Sequence, residues 1–548
     1  MRRRLAGWGF EGVTVPPPAA ILAWLTERLG PGTPCAVVPP RLDAQPKPRK
    51  LPRLPGSVST EALDRLANAR GQGLPDLLWL RSGGAPALPD AVIRAEESEI
   101  AGVLAACART NVRVIPRGGG TSVTGGVNVL ADERPAVVLD LSPLSGLHAL
   151  DGESGLATFG AGTLGPRVEA ELGAFGFTLG HLPQSWELSS IGGWVVTRSA
   201  GQESLGYGRI DDLVAGVELV APGVDDGGPR KLSLPAQPAS AAGPDLRRLV
   251  LGSEGRLGVV TRVTVRVREA PARREVVAWL LPEWDAGLTA AREIVQDGVP
   301  LSMLRLSDAV ETATALLVGL GHGGAGAAAI RRYLSWRGVA EGCLLLVGAA
   351  GSERECHRAL AAATPHLRPH RGVSLGRGAG RRWLTDRFRH PYLRDGLLDA
   401  GFGTETLETA VPWSQVAPLR RRVVEALASS LADEDEQVVV LCHLSHPYLD
   451  GASLYFTCFF RVPSDPAAAV ARWATLKRAA NAALVALVSK MGATISHHHG
   501  VGSWHAPWLA QEIGEDGLRT LAAAAATFDP NGILNPHVLL DPVDRLES

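Results

Sequence analysis

The stretch Pro116-Arg117-Gly118-Gly119-Gly120-Thr121-Ser122-Val123 decides the fold. It follows a short run of β-formers at 112–115, entered through Asn111. Before that run, Ile100, Val103, Leu104 and Cys107 fall on one face of a predicted helix with Ser98 as its cap. Three glycines between a strand and a Thr-Ser pair put several backbone N–H groups on one concave surface with hydroxyls beside them, which is how a chain binds pyrophosphate without a metal. The stretch lacks the lysine of a P-loop and the spacing of a dinucleotide G-x-G-x-x-G, so neither motif applies. By itself it could equally be a flexible turn.

Two further clusters change that reading. One is Gly192-Gly193-Trp194 with Thr197-Arg198-Ser199-Ala200-Gly201, and the other is Gly252-Ser253-Glu254-Gly255-Arg256-Leu257-Gly258. Together the three point to one long ligand threaded through one domain. Between them, strands are expected at 136–141 and 156–159, then a helix with Pro166 in its first turn and Leu164, Val168 and Leu172 spaced by four. Residues 30–56 are rich in proline and basic side chains, as in an extended strap over a surface. Near residue 270 the texture changes to a strand at 276–281, a helix at 286–295, a short segment at Met303-Leu304-Arg305, and strands at 344–347 and 438–441. This predicts a second α+β unit, a sheet with helices on one face. An alanine-rich helix at 467–490 should stop at Met491-Gly492.

At roughly 100–200 residues per domain, 548 residues suffice for about three cores. The chain has 45% hydrophobic and 20% charged residues and a mean hydropathy of +0.08, which fits a soluble globular protein. Its 55 basic and 56 acidic side chains nearly cancel, so no global field draws it to nucleic acid. The six cysteines are scattered without a C-x-x-C, neither a disulfide framework nor a zinc spacing, and a reducing cytoplasm fits them. The basic start Met1 to Arg4 is not followed by a secretory apolar region, and no stretch reaches the ~18 apolar residues of a membrane span.

On these segments the sequence resembles the vanillyl-alcohol-oxidase type of FAD-binding flavoenzymes, and within it the alkyldihydroxyacetonephosphate synthases. The resemblance is carried by Gly7-Trp8-Gly9-Phe10, Thr178-Leu179-Gly180-His181, Ile191-Gly192-Gly193-Trp194-Val195 and Arg209-Ile210-Asp211-Asp212-Leu213-Val214. It continues through Glu408-Thr409-Ala410-Val411-Pro412-Trp413 and Ser496-His497-His498-His499-Gly500-Val501-Gly502. It implies a two-subdomain FAD-binding domain and an α+β substrate cap with an antiparallel sheet. The expected division is an N-terminal segment 1–90, the FAD-binding domain 91–270, the cap 271–490, and a C-terminal segment 491–548 that returns to the flavin. It implies non-covalent FAD on Pro116 to Val123, on Gln184, Ser185, Ser189, Ser190, Gly192 and Gly193, on Thr197, Arg198, Ser199 and Ala200, and on Glu254, Gly255, Leu257, Gly258, Val259 and Val260.

Read from physics, the triplet His497-His498-His499 leaves three explanations once its internal position excludes an expression tag. It could be a metal site, although adjacent side chains seldom all reach one ion. It could be a set of imidazoles that move protons at a pocket mouth. It could be one catalytic histidine with two packing neighbours. In the 2-hydroxy-acid dehydrogenases of the same superfamily, the region of Cys442-His443-Leu444-Ser445-His446 and Asp450 to Phe456 resembles H-x-G-D-G-N-L-H and can bind a metal together with a later glutamate. Here Tyr455 stands where the second of those histidines would be and His498 where the glutamate would be, so no metal is expected. The two segments should lie on adjacent strands.

The synthase resemblance makes Tyr455 a base whose phenol is deprotonated or nearly so, its pKa lowered by positioned imidazoles and the flavin. It gives His497, His498 and His499 a share in proton traffic, makes Arg394 a phosphate fork, and makes Arg305 a second arginine at the reacting end. The implied reaction exchanges the acyl chain of an acyl-dihydroxyacetone phosphate for a fatty alcohol. One departure is Ser503, where many relatives carry Lys or Arg, which predicts a weaker phosphate pocket. The alternatives are an FAD-linked oxidase or dehydrogenase of a 2-hydroxy acid or other alcohol, and a binding protein on a decayed scaffold. Expected partners are a small or lipid-like substrate and a second copy in a homodimer.

Overall fold

A computed structural model of the chain describes residues 2–35, 37–223, 228–320, 325–541 and 543–547. The first sheet orders Ser57–Ser59, Ala91–Arg94, Ala136–Asp140 and Arg113–Arg117, parallel except for the antiparallel Ser57–Ser59. Arg113–Arg117 runs on through Pro116, which an edge strand tolerates because the Pro116 nitrogen, like that of Val114, lies on the side away from the Ala136–Asp140 ladder. Helix Glu97–Arg109 buries Ile100, Val103, Leu104 and Cys107 as its spacing requires. Ser98 is not its cap. The cap lies two residues earlier, at Glu96, whose N–H donates to the Glu99 carboxylate at 2.9 Å.

A second sheet, all antiparallel, orders Leu147–Asp151, Leu156–Gly160, Val259–Arg266, Val214–Ala221 and Arg230–Leu234. Its edge strand Leu147–Asp151, with no buried residue, carries too little apolar alternation to be read from sequence. Ile533 and Leu534 near the C-terminus pack into the core of the first sheet, with the Val114 N–H donating to the Ile533 carbonyl at 2.8 Å.

The third sheet has seven antiparallel strands in the order Val373–Gly376, Arg273–Leu281, Cys343–Gly351, Met303–Ser307, Val439–Pro447, Gly451–Arg461 and Phe402–Pro412. The expectation of helices on one face only is corrected. Leu345 and Val347 pack with helices Trp284–Gln296 and Glu353–Leu367, while Val276, Ala278 and Leu346, one residue out of phase, meet Trp383 and Leu384 of helix Arg377–Asp386. The long helix Pro466–Met491 is capped by the Asp465 carboxylate and stops at Gly492, left-handed at φ 66°.

Candidate active site

Register builds the site. On the three strands at one end of the large sheet, Tyr455 is paired on one side with His443 and on the other with Glu408. Paired residues share a face, so all three side chains leave the sheet on the side opposite the buried Leu454 and Phe456. Arg305 and Ser307 join that face, since Ser307 pairs with His443. A bulge at Ser445 brings in His446, because the pairing passes from Leu444–Leu454 directly to His446–Ser453. In a regular strand, where residues three apart face opposite ways, His443 and His446 would point to opposite sides.

Over this face sits the histidine loop, held by two buried glutamates. Glu408 accepts the N–H of His497 at 2.5 Å, of His498 at 3.1 Å and of His499 at 3.0 Å, and the Ser496 hydroxyl at 3.0 Å. Glu254 accepts the N–H of Val501 at 2.6 Å and of Gly502 at 2.7 Å. Burial opposes ionisation of Glu408, but the imidazoles of His498, His499 and His497 and the backbone donors outweigh it and keep the carboxyl well below its usual range. Glu254, with only the two N–H donors against its burial, is pushed up to about 7.

The loop lays its rings around Tyr455. Ring centroids lie 5.1 Å from Tyr455 for His443, 6.0 Å for His498 and 5.6 Å for His499. Burial drives the imidazoles toward neutrality, with His498 down at about 3 against the pull of Glu408, and His497, His499, His443 and His446 all lowered. This overturns one expectation. Neutral rings supply no positive charge, and desolvation raises the Tyr455 phenol to about 12 despite a hydrogen bond from Thr406. In the chain alone Tyr455 is a protonated phenol.

Two family models match the chain. A model described as FAD binding domain matches residues 89–224, and one described as FAD linked oxidases, C-terminal domain, matches residues 270–539. An alkyldihydroxyacetonephosphate synthase of Caenorhabditis elegans is 31% identical over 88% of this chain and 81% of its own length. The chain belongs to the alkyldihydroxyacetonephosphate synthase family. A solved structure of such a synthase superposes with a TM-score of 0.81 at 23% identity, covering 97% of this chain and 98% of that one. A p-cresol methylhydroxylase with substrate bound superposes at 0.66 and 14% identity, over 89% and 94% of the two chains. The fold is that of the vanillyl-alcohol-oxidase type, and the enzyme is FAD-dependent.

The residues present fit that cofactor. None of the backbone N–H groups of Gly118 to Val123 donates to an acceptor among the described residues, although Gly119 and Gly120 are buried. A run of such free donors calls for an anion. The loop cannot be filled by side chains, since a Cβ at Gly118 would lie 2.1 Å from the Ser190 hydroxyl and one at Gly119 1.8 Å from the Leu188 carbonyl. Arg117 folds beneath it, donating to the Arg70 carbonyl, and Arg3 donates to the Gly119 carbonyl from the other side. Thr121 and Val123 are partly buried, and the Ser122 hydroxyl is turned back to accept the Gly126 N–H at 3.0 Å.

The other expected cofactor residues gather in the same region in differing roles. Ser190 caps helix Ile191–Thr197, the Ser189 hydroxyl takes the Trp194 indole N–H at 2.7 Å, and Gly192 packs on Ala161. Ser199 is bonded to His181 at 2.9 Å, Thr197 to the Gly193 carbonyl at 2.8 Å, and Arg198, left-handed at φ 53°, to Asp211 at 2.7 Å. Ala200 is buried, and Gln184 donates to the Arg387 carbonyl beside Ser185. Gly255 lies over Pro116, Gly258 against Leu219, and Leu257 is buried. Val259 and Val260 send their side chains into the hydrophobic cores, which leaves them only backbone to offer.

Neither arginine is free. Arg305 is ion-paired with Glu311 and lies 3.2 Å from the ring of His443, which itself meets Glu311 at 3.1 Å. Arg394, on helix His390–Asp399, donates to the backbone carbonyl and side-chain amide of Gln72, and its buried Nε meets no hydrogen-bond acceptor among the described residues. Ser503 does not look into the site. It is 1% exposed with its hydroxyl turned to the Gly125 carbonyl, so the missing cation leaves no gap in the Tyr–His group.

Sequence reasoning missed Glu408, Tyr448 and Glu311. Glu408 stands in a motif that carries the family resemblance, but nothing local says that its carboxylate will meet backbone donors on a distant loop. As for metal, the ring nitrogens of His446, His497 and His498 lie within 4.8 Å of one another, with His499 outside the group. Among the described residues no helix is long and apolar enough to cross a membrane, and all six cysteines are free.

Proposed function

We propose that this enzyme exchanges the acyl chain of an acyl-dihydroxyacetone phosphate for a long-chain alcohol. The carbon–oxygen bond to the carboxylate breaks, one to the alcohol oxygen forms, and a proton leaves the carbon and later returns, with no net redox change. The observation that carries this reading is Tyr455, ringed by three imidazoles on a sheet face that faces the histidine loop. Bound at the glycine loop, FAD supplies the electron-poor centre that makes the carbon acid accessible.

Tyr455 is the group that takes the carbon-bound proton. Its ionisation follows the loss of its proton to His498 or His499, neutral bases held at fixed angles by Glu408. His497 completes the set. Arg305, pinned by Glu311, holds His443 against the Tyr455 ring, and Arg394, whose Nε lies 3.9 Å from the Asp395 carboxylate, directs its guanidinium charge to the substrate's phosphate, with Gln72 steadying the fork. The same proposal includes the division into 1–90, 91–270, 271–490 and 491–548, the FAD contacts named from sequence, a cytoplasmic location and a homodimer.

The test is anaerobic. With the FAD-loaded enzyme, an acyl-dihydroxyacetone phosphate and a labelled fatty alcohol should give a labelled ether, with the flavin absorbance perturbed but not bleached. Stable bleaching by a 2-hydroxy acid, with no ether from the phosphate ester, would move the enzyme to dehydrogenase chemistry.

A further inference from the structure

Tyr448 lies in the turn between strands Val439–Pro447 and Gly451–Arg461, outside every motif above. Its N–H donates to the Gly451 carbonyl at 2.7 Å and its carbonyl accepts the Trp413 indole N–H at 3.0 Å, which fixes the backbone. Next to it Leu449 is 68% exposed. The phenol turns back toward the site, the residue staying only partly buried, and its oxygen lies 2.6 Å from His497 Nε2. The opposite nitrogen of that ring, Nδ1, lies 2.9 Å from Nδ1 of His498. His498 Nε2 has no hydrogen-bond partner among the described residues, and its ring stands nearly parallel to Tyr455 at 24°.

We propose that Tyr448, His497 and His498 form a proton wire from the pocket in front of Tyr455 to the outer turn of the sheet, with Tyr448 as its outer end. Only two hydrogen arrangements satisfy both contacts without a donor–donor clash. In one, His498 Nδ1–H donates to His497 Nδ1, His497 Nε2–H donates to the Tyr448 oxygen, and the Tyr448 proton is free to leave. In the other every bond is reversed. A proton arriving at His498 Nε2 moves its Nδ1 proton to His497, whose Nε2 proton moves to Tyr448, whose own proton passes to water. One proton enters and one leaves, and no ring carries charge at rest.

The surroundings suit such transfer. His446 stacks on the ring of His497 at 5.3 Å, and Arg209 donates to the His497 carbonyl at 2.8 Å. The charged and titratable groups facing the wire are Arg209, Asp211, Asp212 and Glu408 around Tyr448, and His443, His499 and Glu408 around His498. Burial pushes the Tyr448 phenol up and both imidazoles down, which favours exchange of neutral tautomers over a stored charge.

The use of the wire rests on the proposed function. A reaction that removes a proton from carbon and later returns one drives the wire outward and then inward, so each turnover restores the first arrangement. A reaction that only sheds protons would leave the wire reversed until the rings reoriented.

The experiment runs the FAD-loaded enzyme in deuterium oxide and measures deuterium gained at the reacting carbon per ether formed. In Tyr448→Phe, ether formation should continue while deuterium uptake per ether falls about tenfold or more, because the abstracted proton is returned before it can leave. An unchanged ratio overturns the proposal. Should the native enzyme make no ether at all, the functional reading fails instead, and the wire is judged by ¹⁵N resonances of the histidine rings. Tyr448→Phe must then shift the tautomer of His497, and unaltered resonances overturn it. Should Tyr448→Phe fail to hold FAD, 3,5-difluorotyrosine at 448 keeps the ring and hydroxyl while acidifying the phenol, and the pH profile of exchange or of the resonances must move to lower pH. A profile that does not move overturns the wire.

Discussion

Replacing Glu408 with glutamine changes one oxygen into an NH2 group and removes a charge. Three donors converge on Oε1 and a fourth, the His497 N–H at 2.5 Å, on Oε2. The glutamine carbonyl can serve the three, but its NH2 group then faces the His497 N–H, leaving one buried donor unpaired at a cost of about 1–3 kcal/mol. The three remaining bonds lose their charge assistance, which costs about as much again. A total of about 2–6 kcal/mol corresponds to at least about a 30-fold rise in local opening. The assay is amide hydrogen exchange of the FAD-loaded protein, followed by mass spectrometry on peptides containing His497 to His499. Those amides should exchange at least about 30-fold faster in Glu408→Gln while Gly118 to Val123 stay as in the native enzyme, and turnover should fall. The native carboxyl is held below its unfolded value, so its contribution is present above the unfolded pKa of about 4.3 and fades as pH drops through the folded value. The two proteins should therefore converge in acid. Exchange at His497 to His499 within about threefold of native at neutral pH would refute the account of the loop.

Tyr455→Phe should lose ~10²–10⁴ in turnover while keeping the flavin spectrum, as expected for a positioned base; full activity would make the phenol a packing group. Gly119→Ala should abolish FAD retention, because its methyl would lie 1.8 Å from the Leu188 carbonyl, and acid precipitation of the native protein should release a yellow supernatant that the variant does not give.

What could be read in the sequence was what is local. The free N–H run at Gly118 to Val123, the buried stripe of Ile100, Val103, Leu104 and Cys107, and the stop at Gly492 each depend on a few neighbouring residues, and all are present. The adjacency of the strands carrying His443 and Tyr455 was also legible, from their alternation and the short turn between them. The rest is set by pairing across the sheet. Glu408 meets the histidine loop only because its strand lies beside that of Tyr455. The ionisation of Tyr455 runs against expectation because positioned imidazoles were expected to lower its pKa, whereas burial makes them neutral and raises the phenol. Ser98 lost the cap to Glu96 because a capping box needs its acceptor three residues on, and Glu99 supplies it.

The bulge at Ser445 lets one step of pairing register decide which side chain the pocket receives. Were the strand to run on regularly at the same length, Ser445 would pair with Ser453 and take the pocket position while His446 swung into the packed side of the sheet, exchanging an imidazole for a hydroxyl. Substitution swaps one side chain for another at a fixed address, whereas a shift of pairing here rewrites which addresses open onto the pocket. The hydroxyl of Ser445 lies 3.2 Å from that of Ser453 across the strands, so the extra residue is pinned in place, and lineages of this fold that lack the bulge at the same strand length should gather one imidazole fewer around the base.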